Sequence, residues 1–172
     1  ILITEYNHPF FDDMIVPIGR LREGRSGYKR ADIIVVSKSP QDLQETDRQS
    51  FVSKIKPLAH QNVYFSTYEY GEPYHIFQPD LIAEMSPETH IVLISGIARP
   101  EYLVQYLSEK VGLITSVEYE DHRQFTNYDV ARLKQIFDDS KAEKKLIFTT
   151  EKDATRLDMH RSFLEKNQMH IF

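Results

Sequence analysis

HIVLISGIARP, residues 90–100, contains a β-branched apolar run, His90–Ser95, that is followed by Gly96 and then by Pro100. Runs of the same type occur at Ile1–Thr4, Asp32–Ser37 and Lys145–Thr150. Short, continuous apolar runs are typical of strands buried on both faces, and such strands form parallel sheets covered by helices. Val63–Tyr70 instead alternates polar and apolar residues, which predicts a strand near an edge of the sheet.

Helical patterns separate these runs. Gln41–Leu58, Pro100–Lys110 and Thr126–Ser140 place apolar residues at helical spacing. The last begins with Thr126 and carries Asp129 three residues later, the order of a capping box. Alternating strands and helices predict an α/β fold with a mostly parallel sheet covered by helices, and we expect residues 1–172 to form a single domain.

Length and composition exclude several classes of protein. At 172 residues and 41% hydrophobic content, the chain can bury about 70% of its extended surface. Its net charge of −5 argues against bulk binding of nucleic acid, which needs a basic face. The chain has no cysteine, which excludes disulfides and thiolate chemistry. No run approaches the about 20 apolar residues of a membrane span, so we expect a soluble chain whose membrane contacts are peripheral.

Two stretches, Asn7–Arg30 and Gly71–Pro87, lack regular periodicity. Long loops in compact domains are often functional, and the first contains a basic segment. Gly19–Arg30 has five basic residues and one acidic residue, a local charge of +4 in an acidic chain. Such a segment can steer an anion and hold phosphate through bidentate arginine contacts. A solvated, mobile charged loop is the alternative.

Three polar islands follow apolar runs, at Ser95–Glu101, Asp121–Thr126 and Thr149–Ala154. In open α/β sheets, ligands bind beyond the carboxyl ends of the strands. Titratable residues placed repeatedly at those ends therefore indicate a site, and its arginine and lysine side chains favour an anionic ligand.

Together with Leu21-Arg22-Glu23 and the strand Ala31–Val36, the islands resemble the C-terminal half of the tetraacyldisaccharide 4'-kinase family. The resemblance spans roughly residues 1–172 and is strongest at SGIARPE, EDHRQFTNYD and TTEKDATRL. It implies a Rossmann-like, P-loop-kinase-like C-terminal domain. The phosphate-binding loop of that family is missing here, because the six glycines are scattered and none precedes a lysine. The abrupt start at Ile1 predicts an excised half.

The resemblance also implies an activity and its partners. The family phosphorylates the lipid A precursor, tetraacyldisaccharide 1-phosphate, on its 4'-hydroxyl in Gram-negative bacteria. ATP and Mg²⁺ would be bound mainly by the absent N-terminal half, so the isolated chain is predicted to be inactive. The full-length protein would work at the cytoplasmic face of the inner membrane, with no nucleic acid partner.

His122 is the sharpest catalytic candidate. An imidazole exchanges protons near neutral pH, and the adjacent Asp121 is a possible supporting carboxylate. Neighbouring residues on an extended strand point to opposite faces, so the partner of His122 can come from elsewhere. By resemblance, His122 matches a histidine that supports the catalytic aspartate of the absent half. The family often has a second histidine where this chain has Arg123. A loop cap before the Thr126 helix is the structural alternative.

The remaining candidates bind rather than react. The Leu-Arg-Glu loop lies at the active site of the resembled family, so Arg22 and Glu23 carry over as substrate-binding candidates. Arg99 stands beside the first N–H groups of a predicted helix, where an anion can bind. Lys152 and Asp153 are supporting candidates that either contact nucleotide or lock neighbouring loops by ion pairing.

Two further interpretations stay open. The adjacent carboxylates of His8–Asp13 more often cap turns than bind metal, and no third ligand has suitable spacing, so we predict no metal site in the chain. The function opposed to the kinase is a non-catalytic α/β binding or regulatory domain. Such a domain would recognise a phosphorylated small molecule through the Arg22 and Arg99 loops.

Overall fold

A computed structural model describes residues 1–121 and 123–172. The chain forms two compact units, which we call unit 1, Ile1–Tyr70, and unit 2, Gly71–Phe172. The expected α/β class, with mostly parallel sheets and helices, is confirmed in both. The expectation of a single domain stays a prediction.

Unit 1 is built on three parallel strands, in the order β1-β2-β3. A 3₁₀ helix precedes β2, and one α-helix connects β2 to β3. The elements are β1 Leu2–Glu5, the 3₁₀ helix Arg25–Arg30, β2 Ile33–Ser37, α1 Glu45–Ile55 and β3 Asn62–Phe65. As predicted, β3 lies at an edge of its sheet, although it ends five residues before Tyr70.

The core of unit 1 lies on one face of this sheet. Ile34 and Val36 of β2 are fully buried against Phe51 and Ile55, which lie four residues apart on α1. Phe10 joins the same cluster from the long loop after β1. The start of the Asn7–Arg30 stretch, the candidate functional loop, is therefore anchored in the core.

Unit 2 contains the second parallel sheet, in the order β7-β6-β8. Helices connect its successive strands, and a short antiparallel hairpin precedes it. The elements are β4 Tyr74–His75, β5 Gln78–Ile82, β6 Thr89–Ser95, α2 Glu101–Ser108, β7 Leu113–Glu118, α3 Asn127–Asp139, β8 Lys144–Phe148, α4 Glu151–Leu157 and α5 Arg161–Lys166. In the described part of the chain, no helix is both long and apolar enough to cross a bilayer.

Strand β6 is the centre of unit 2, and all seven of its residues are buried. Val92 and Ile94 pack on one face with residues of α3, α4 and α5. Ile91 and Leu93 pack on the other face against Leu107 of α2. This two-sided burial explains why β6 reads as a continuous apolar run.

The structure departs from the prediction at Gly71–Pro87, which contains the hairpin β4–β5 instead of irregular loop alone. All five residues of β5 are exposed, and Pro79 lies within the strand, so no burial period marks it in the sequence. The register also shifts between Tyr74 and His75. Because of these features, the sequence of the hairpin lacks the alternation of apolar and polar residues from which a strand is predicted.

Two buried histidines predict a loss of stability in mild acid. Burial, with the charge of Lys145, holds the pKa of His90 below its usual value, and burial, with the charge of His170, does the same for His75. Both nitrogens of His90 are occupied, by Ser140 Oγ at 2.6 Å and Thr115 Oγ1 at 2.9 Å. These rings are neutral in the folded state.

Unfolding lets both histidines take up protons. The contribution of their neutral forms to the free energy of unfolding should therefore be fully present above their unfolded pKa near 6.5. It should fall as the pH drops below that value, until the folded-state pKa is reached. Urea denaturation at a series of pH values between about 8 and 5 measures this dependence. His90→Gln should flatten the slope, and an equal slope in that variant would exclude His90 as its source.

Candidate functional site

The three parallel strands of unit 2 end at the same edge of the sheet. Ser95 pairs with Glu118 at the ends of β6 and β7, and Leu93 pairs with Phe148 at the end of β8. The first island begins at Ser95, the last residue of β6, and the third begins at Thr149, directly after β8. The second begins at Asp121, shortly after β7. The fold therefore gathers the islands along the edge where open α/β sheets bind ligands.

Asp153 joins the first island to the third. Its side chain is fully buried, and Oδ2 accepts hydrogen bonds from the Gly96 N–H at 2.9 Å and the Thr150 hydroxyl at 2.9 Å. The Asp153 N–H donates in return to Thr150 Oγ1 at 3.2 Å, which caps α4. A buried carboxylate needs such partners, and here they come from both loops.

Arg156, on the next turn of α4, also contacts Gly96 and Asp153. We call these contacts of Asp153 and Arg156 with Gly96 the Gly96 clamp. Its Nη1 donates to Asp153 Oδ1 at 2.7 Å and to the Gly96 carbonyl at 3.2 Å. Gly96 is thus held through both its N–H and its C=O. A Cβ at Gly96 would lie 3.3 Å from both Arg156 Nη1 and Asp153 Oδ1. A side chain at this position would therefore be tight against the ion pair, whose atoms would have to shift by a few tenths of an ångström.

Lys152 joins the third island to the second. Its Nζ donates to Asp121 Oδ1 at 2.8 Å, with the two side chains 44% and 35% exposed. Exposed ion pairs contribute about 0–1 kcal/mol, so this contact positions the loop more than it stabilises the fold. Lys152 and Asp153 therefore both make the loop-locking contacts that were one of their two predicted roles.

The second island is anchored to α3 by a buried carboxylate. The Thr126 N–H and hydroxyl donate to Asp129 Oδ2 at 2.8 and 2.7 Å, and the Asp129 N–H donates to Thr126 Oγ1 at 3.2 Å. The predicted capping box is confirmed. Arg123 Nη2 lies 3.2 Å from both Asp129 oxygens, and its guanidinium lies 4.8 Å from the centre of the Tyr119 ring.

These contacts set the ionisation of Asp129. Burial alone would raise the pKa of its carboxyl, but hydrogen bonds from Thr126 and the charge of Arg123 outweigh burial and hold the pKa below its usual value. Arg123, whose role the sequence left in doubt, is therefore a partner of this carboxylate.

His122, the predicted catalytic residue, lies outside the described residues. Both of its neighbours lie within them: Asp121 is bound by Lys152, and Arg123 is bound by Asp129. Arg99 is half-buried and lies in the loop that connects β6 to α2. The four described candidates of unit 2, Arg99, Asp121, Lys152 and Asp153, thus lie in the segments that follow the carboxyl ends of its strands.

Arg22 and Glu23 belong to unit 1, in the basic segment after the long loop. Arg30 donates to both carboxylate oxygens of Glu23, through Nη1 at 2.6 Å and through Nη2. Hydrogen bonding and charge from Arg30 hold the pKa of Glu23 below its usual value. Arg22 is exposed, and no described carboxylate forms an ion pair with it. Of Arg22 and Glu23, Arg22 is therefore the residue whose charged group is better placed to contact a ligand.

Comparison with known proteins identifies the family to which this chain belongs. The model of the tetraacyldisaccharide-1-P 4'-kinase family matches residues 1–172, the whole chain. The chain belongs to this family. A tetraacyldisaccharide 4'-kinase of Bacteroides thetaiotaomicron is 36% identical over 183 residues, and one of Bacteroides fragilis is 35% identical over 178 residues. Both matches cover 100% of this chain, but 48% and 47% of the relatives.

The tetraacyldisaccharide 4'-kinase of Flavobacterium johnsoniae is 34% identical over 158 residues, covering 91% of this chain and 44% of the relative. The chain therefore spans about half the length of the curated family members it matches. No solved structure gives a significant match. The predicted family is confirmed, whereas the roles of individual site residues stay proposals.

The structure of this family member adds two residues that the sequence did not single out. The hydroxyls of Ser95, at the end of β6, and Thr149, one residue after β8, are buried and have no hydrogen-bond partner among the described residues. Buried polar groups are normally paired, so each is a candidate donor to a ligand. Their only signal in the sequence is their position at the end of an apolar run.

Proposed function

We propose that this chain is the C-terminal part of an ATP-dependent kinase that phosphorylates the 4'-hydroxyl of tetraacyldisaccharide 1-phosphate in lipid A biosynthesis. The observation that carries the proposal is the family match over all 172 residues. The assembly of three polar loops at one sheet edge supports it, because phosphoryl transfer depends on positioning and charge neutralisation.

The residues of this chain do not by themselves fit Mg-ATP. Within residues 1–121 and 123–172, no group of three histidine or acidic side chains is arranged to hold a metal ion. The sequence also contains no Gly-Lys pair of a phosphate-binding loop. We therefore assign ATP and Mg²⁺ mainly to the part of the longer protein that this chain does not span. No step involving them is derived from these residues.

The residues of this chain bind and orient the acceptor lipid in the proposal. Arg22 of unit 1 neutralises its phosphate, and Glu23, bound to Arg30, sets the shape of the Arg22 loop. Arg99 is the proposed substrate-binding residue of unit 2. His122 supports proton removal from the 4'-hydroxyl. The Asp153 and Lys152 contacts hold the loop that carries Arg99 and the loop that carries His122.

The lipid substrate places the proposed work at a membrane surface. A tetraacylated disaccharide phosphate is held in a bilayer by its acyl chains, with its anionic headgroup at the surface. The longer protein would therefore act peripherally, at the cytoplasmic face of the inner membrane. Nucleic acid has no part in the proposal.

Calorimetry separates the kinase half from a self-sufficient binding domain. The 172-residue chain is titrated with Mg-ATP and, separately, with a soluble disaccharide 1-phosphate. The proposal predicts no Mg-ATP binding in the low micromolar range and no ATP hydrolysis. Low micromolar binding of Mg-ATP would place the nucleotide site in this chain and contradict the assignment. Tight binding of the phosphosugar together with an inactive longer protein would support the regulatory domain.

Arg22→Lys should reduce kcat/KM of the longer enzyme by roughly ten-fold or more, because an ammonium cannot reproduce the planar, bidentate contact of a guanidinium with phosphate. Lys54→Ala is the matched control, since Lys54 is an exposed cation of unit 1 outside the basic segment. Arg25 is less suitable, because its Nε donates to the Asp13 carbonyl at 2.8 Å. Rates are measured at two salt concentrations, and equal effects that salt abolishes would show diffuse attraction instead of a clamp.

Ser95→Ala should leave the free energy of unfolding unchanged or raise it slightly, because the hydroxyl it removes is buried without a partner. If Ser95 donates to the bound substrate, kcat/KM should nevertheless fall by roughly ten-fold. Steady-state kinetics and urea denaturation give the two quantities, with Ser108→Ala as the control. A loss of stability with unchanged kinetics would remove Ser95 from the site.

A further inference from the structure

The loop Met14–Ile18, MIVPI, exposes an apolar surface on unit 1. The exposed fractions are 55% for Met14, 51% for Ile15, 57% for Val16 and 81% for Ile18. Loops are normally polar, and a run of exposed apolar residues is unfavourable in water unless it has a function. Neither the core of unit 1 nor the proposed chemistry accounts for these side chains.

The loop is a closed turn whose backbone is paired within itself. Val16 N–H donates to the Leu21 carbonyl at 2.9 Å, and Leu21 N–H donates to the Met14 carbonyl at 2.9 Å. Asp13 Oδ1 accepts from the N–H groups of Met14 at 2.8 Å and Arg20 at 3.1 Å. Backbone groups that enter an apolar medium must have partners, and this turn supplies them.

Gly19 is what allows the turn to close. A Cβ at this position would lie 2.3 Å from the Met14 carbonyl oxygen and 2.4 Å from Asp13 Oδ1, so any other residue would force the two sides apart. The Gly19 N–H donates to the Ile15 carbonyl at 3.2 Å. The apolar side chains are therefore presented by a fixed backbone.

Positive charge lies at the base of the same turn. Arg25 Nε donates to the Asp13 carbonyl at 2.8 Å, and Arg20 Nε lies 3.2 Å from Asp13 Oδ2. Two of the five cations of the basic segment are paired with acids, Arg20 with Asp13 and Arg30 with Glu23. Among the described residues, no carboxylate forms an ion pair with Arg22, Arg25 or Lys29. An apolar turn followed along the chain by three cations that no described carboxylate pairs complements the surface of an anionic bilayer.

We propose that Met14–Ile18 inserts into the headgroup region of an anionic lipid bilayer, while Arg22, Arg25 and Lys29 contact lipid phosphates. A second copy of the chain is the alternative occupant, and the sedimentation test below distinguishes it from the bilayer. The inference rests on the proposed function for the presence of a membrane, but not for any catalytic step. Docking would hold the basic segment at the depth of lipid headgroups.

The sequence contains no tryptophan, so a single introduced indole reports on the loop alone. Ile18→Trp is titrated with vesicles of phosphatidylcholine mixed with phosphatidylglycerol, and then with the same vesicles carrying brominated acyl chains. The emission should shift to the blue and be quenched by the bromines. Met159→Trp is the control, because Met159 is 77% exposed on unit 2. An unshifted, unquenched Ile18→Trp would overturn the proposal, as would equal quenching at both positions.

Vesicle sedimentation of variants without the indole gives an independent test. Ile15→Asp should weaken binding to phosphatidylglycerol vesicles by roughly ten-fold, and Lys29→Glu by several-fold, with the second effect lost at high salt. Met159→Asp should have no effect. Circular dichroism confirms that each variant is folded. Loss of self-association in Ile15→Asp, with no vesicle binding by the parent chain, would identify a second copy as the occupant and overturn the proposal.

These tests read binding and not phosphoryl transfer, so they are distinguishable from the failure of the proposed function. Vesicle binding through the loop together with an inactive longer enzyme would reject the kinase and leave the docking loop standing. Full activity on detergent-dispersed substrate with no vesicle binding would reject the docking loop and leave the kinase proposal standing.

Discussion

His122→Ala should lower kcat of the longer enzyme by roughly 10² to 10⁴, the usual loss when an acid–base contribution is removed. The affinity for ATP should be nearly unchanged, because we assign the nucleotide to the part of the protein that this chain does not span. The neighbours Asp121 and Arg123 are fixed by their own ion pairs, so the variant should keep the loop in place.

Single-turnover rates and a melting temperature decide between catalysis and structure for His122. His60→Ala is a matched control, since His60 is an exposed histidine of unit 1. A His122→Ala enzyme with intact kcat and a lowered melting temperature would show that the residue only caps the loop before α3.

Asp153→Ala should destabilise unit 2 by about 3–5 kcal/mol, the usual cost of breaking a buried ion pair by removing one of its members. Arg156, whose side chain is 10% exposed, would lose its carboxylate, and the Gly96 N–H would lose its acceptor. Urea denaturation of the 172-residue chain measures the change.

Asp121→Ala removes an acid from the same loop system and serves as the comparison for Asp153→Ala. Its pair with Lys152 is partly exposed, so the loss should be about 0–1 kcal/mol. Equal losses in the two variants would show that burial does not distinguish these ion pairs, and the clamp at Gly96 would be rejected.

The sequence predicted the parallel strands well because their burial leaves a local record. Every residue of β6 is buried, and its central residues, 91–94, pack on both faces of the sheet, so no polar residue interrupts the apolar run there. The Thr126–Asp129 capping box was also readable, since its partners lie three residues apart. The sheet edge that gathers the islands followed from these strands.

The sequence could not predict the contacts that lock the islands. Asp153 binds Gly96, 57 residues away, and Lys152 binds Asp121, 31 residues away. Which distant residues meet depends on the order β7-β6-β8, which no local pattern encodes. The pairing of Glu23 with Arg30 was hidden for another reason, because five cations of the segment were equally available to one acid.

The most direct measurement of the central claim is transfer of radiolabelled phosphate from the γ position of ATP to tetraacyldisaccharide 1-phosphate. The longer protein that contains this chain is assayed beside its His122→Ala variant and the isolated 172-residue chain. We predict label at the 4' position with the longer protein, a loss of roughly 10² or more in the variant, and none with the chain alone. An unlabelled lipid in the presence of folded, ATP-binding longer protein would contradict the account.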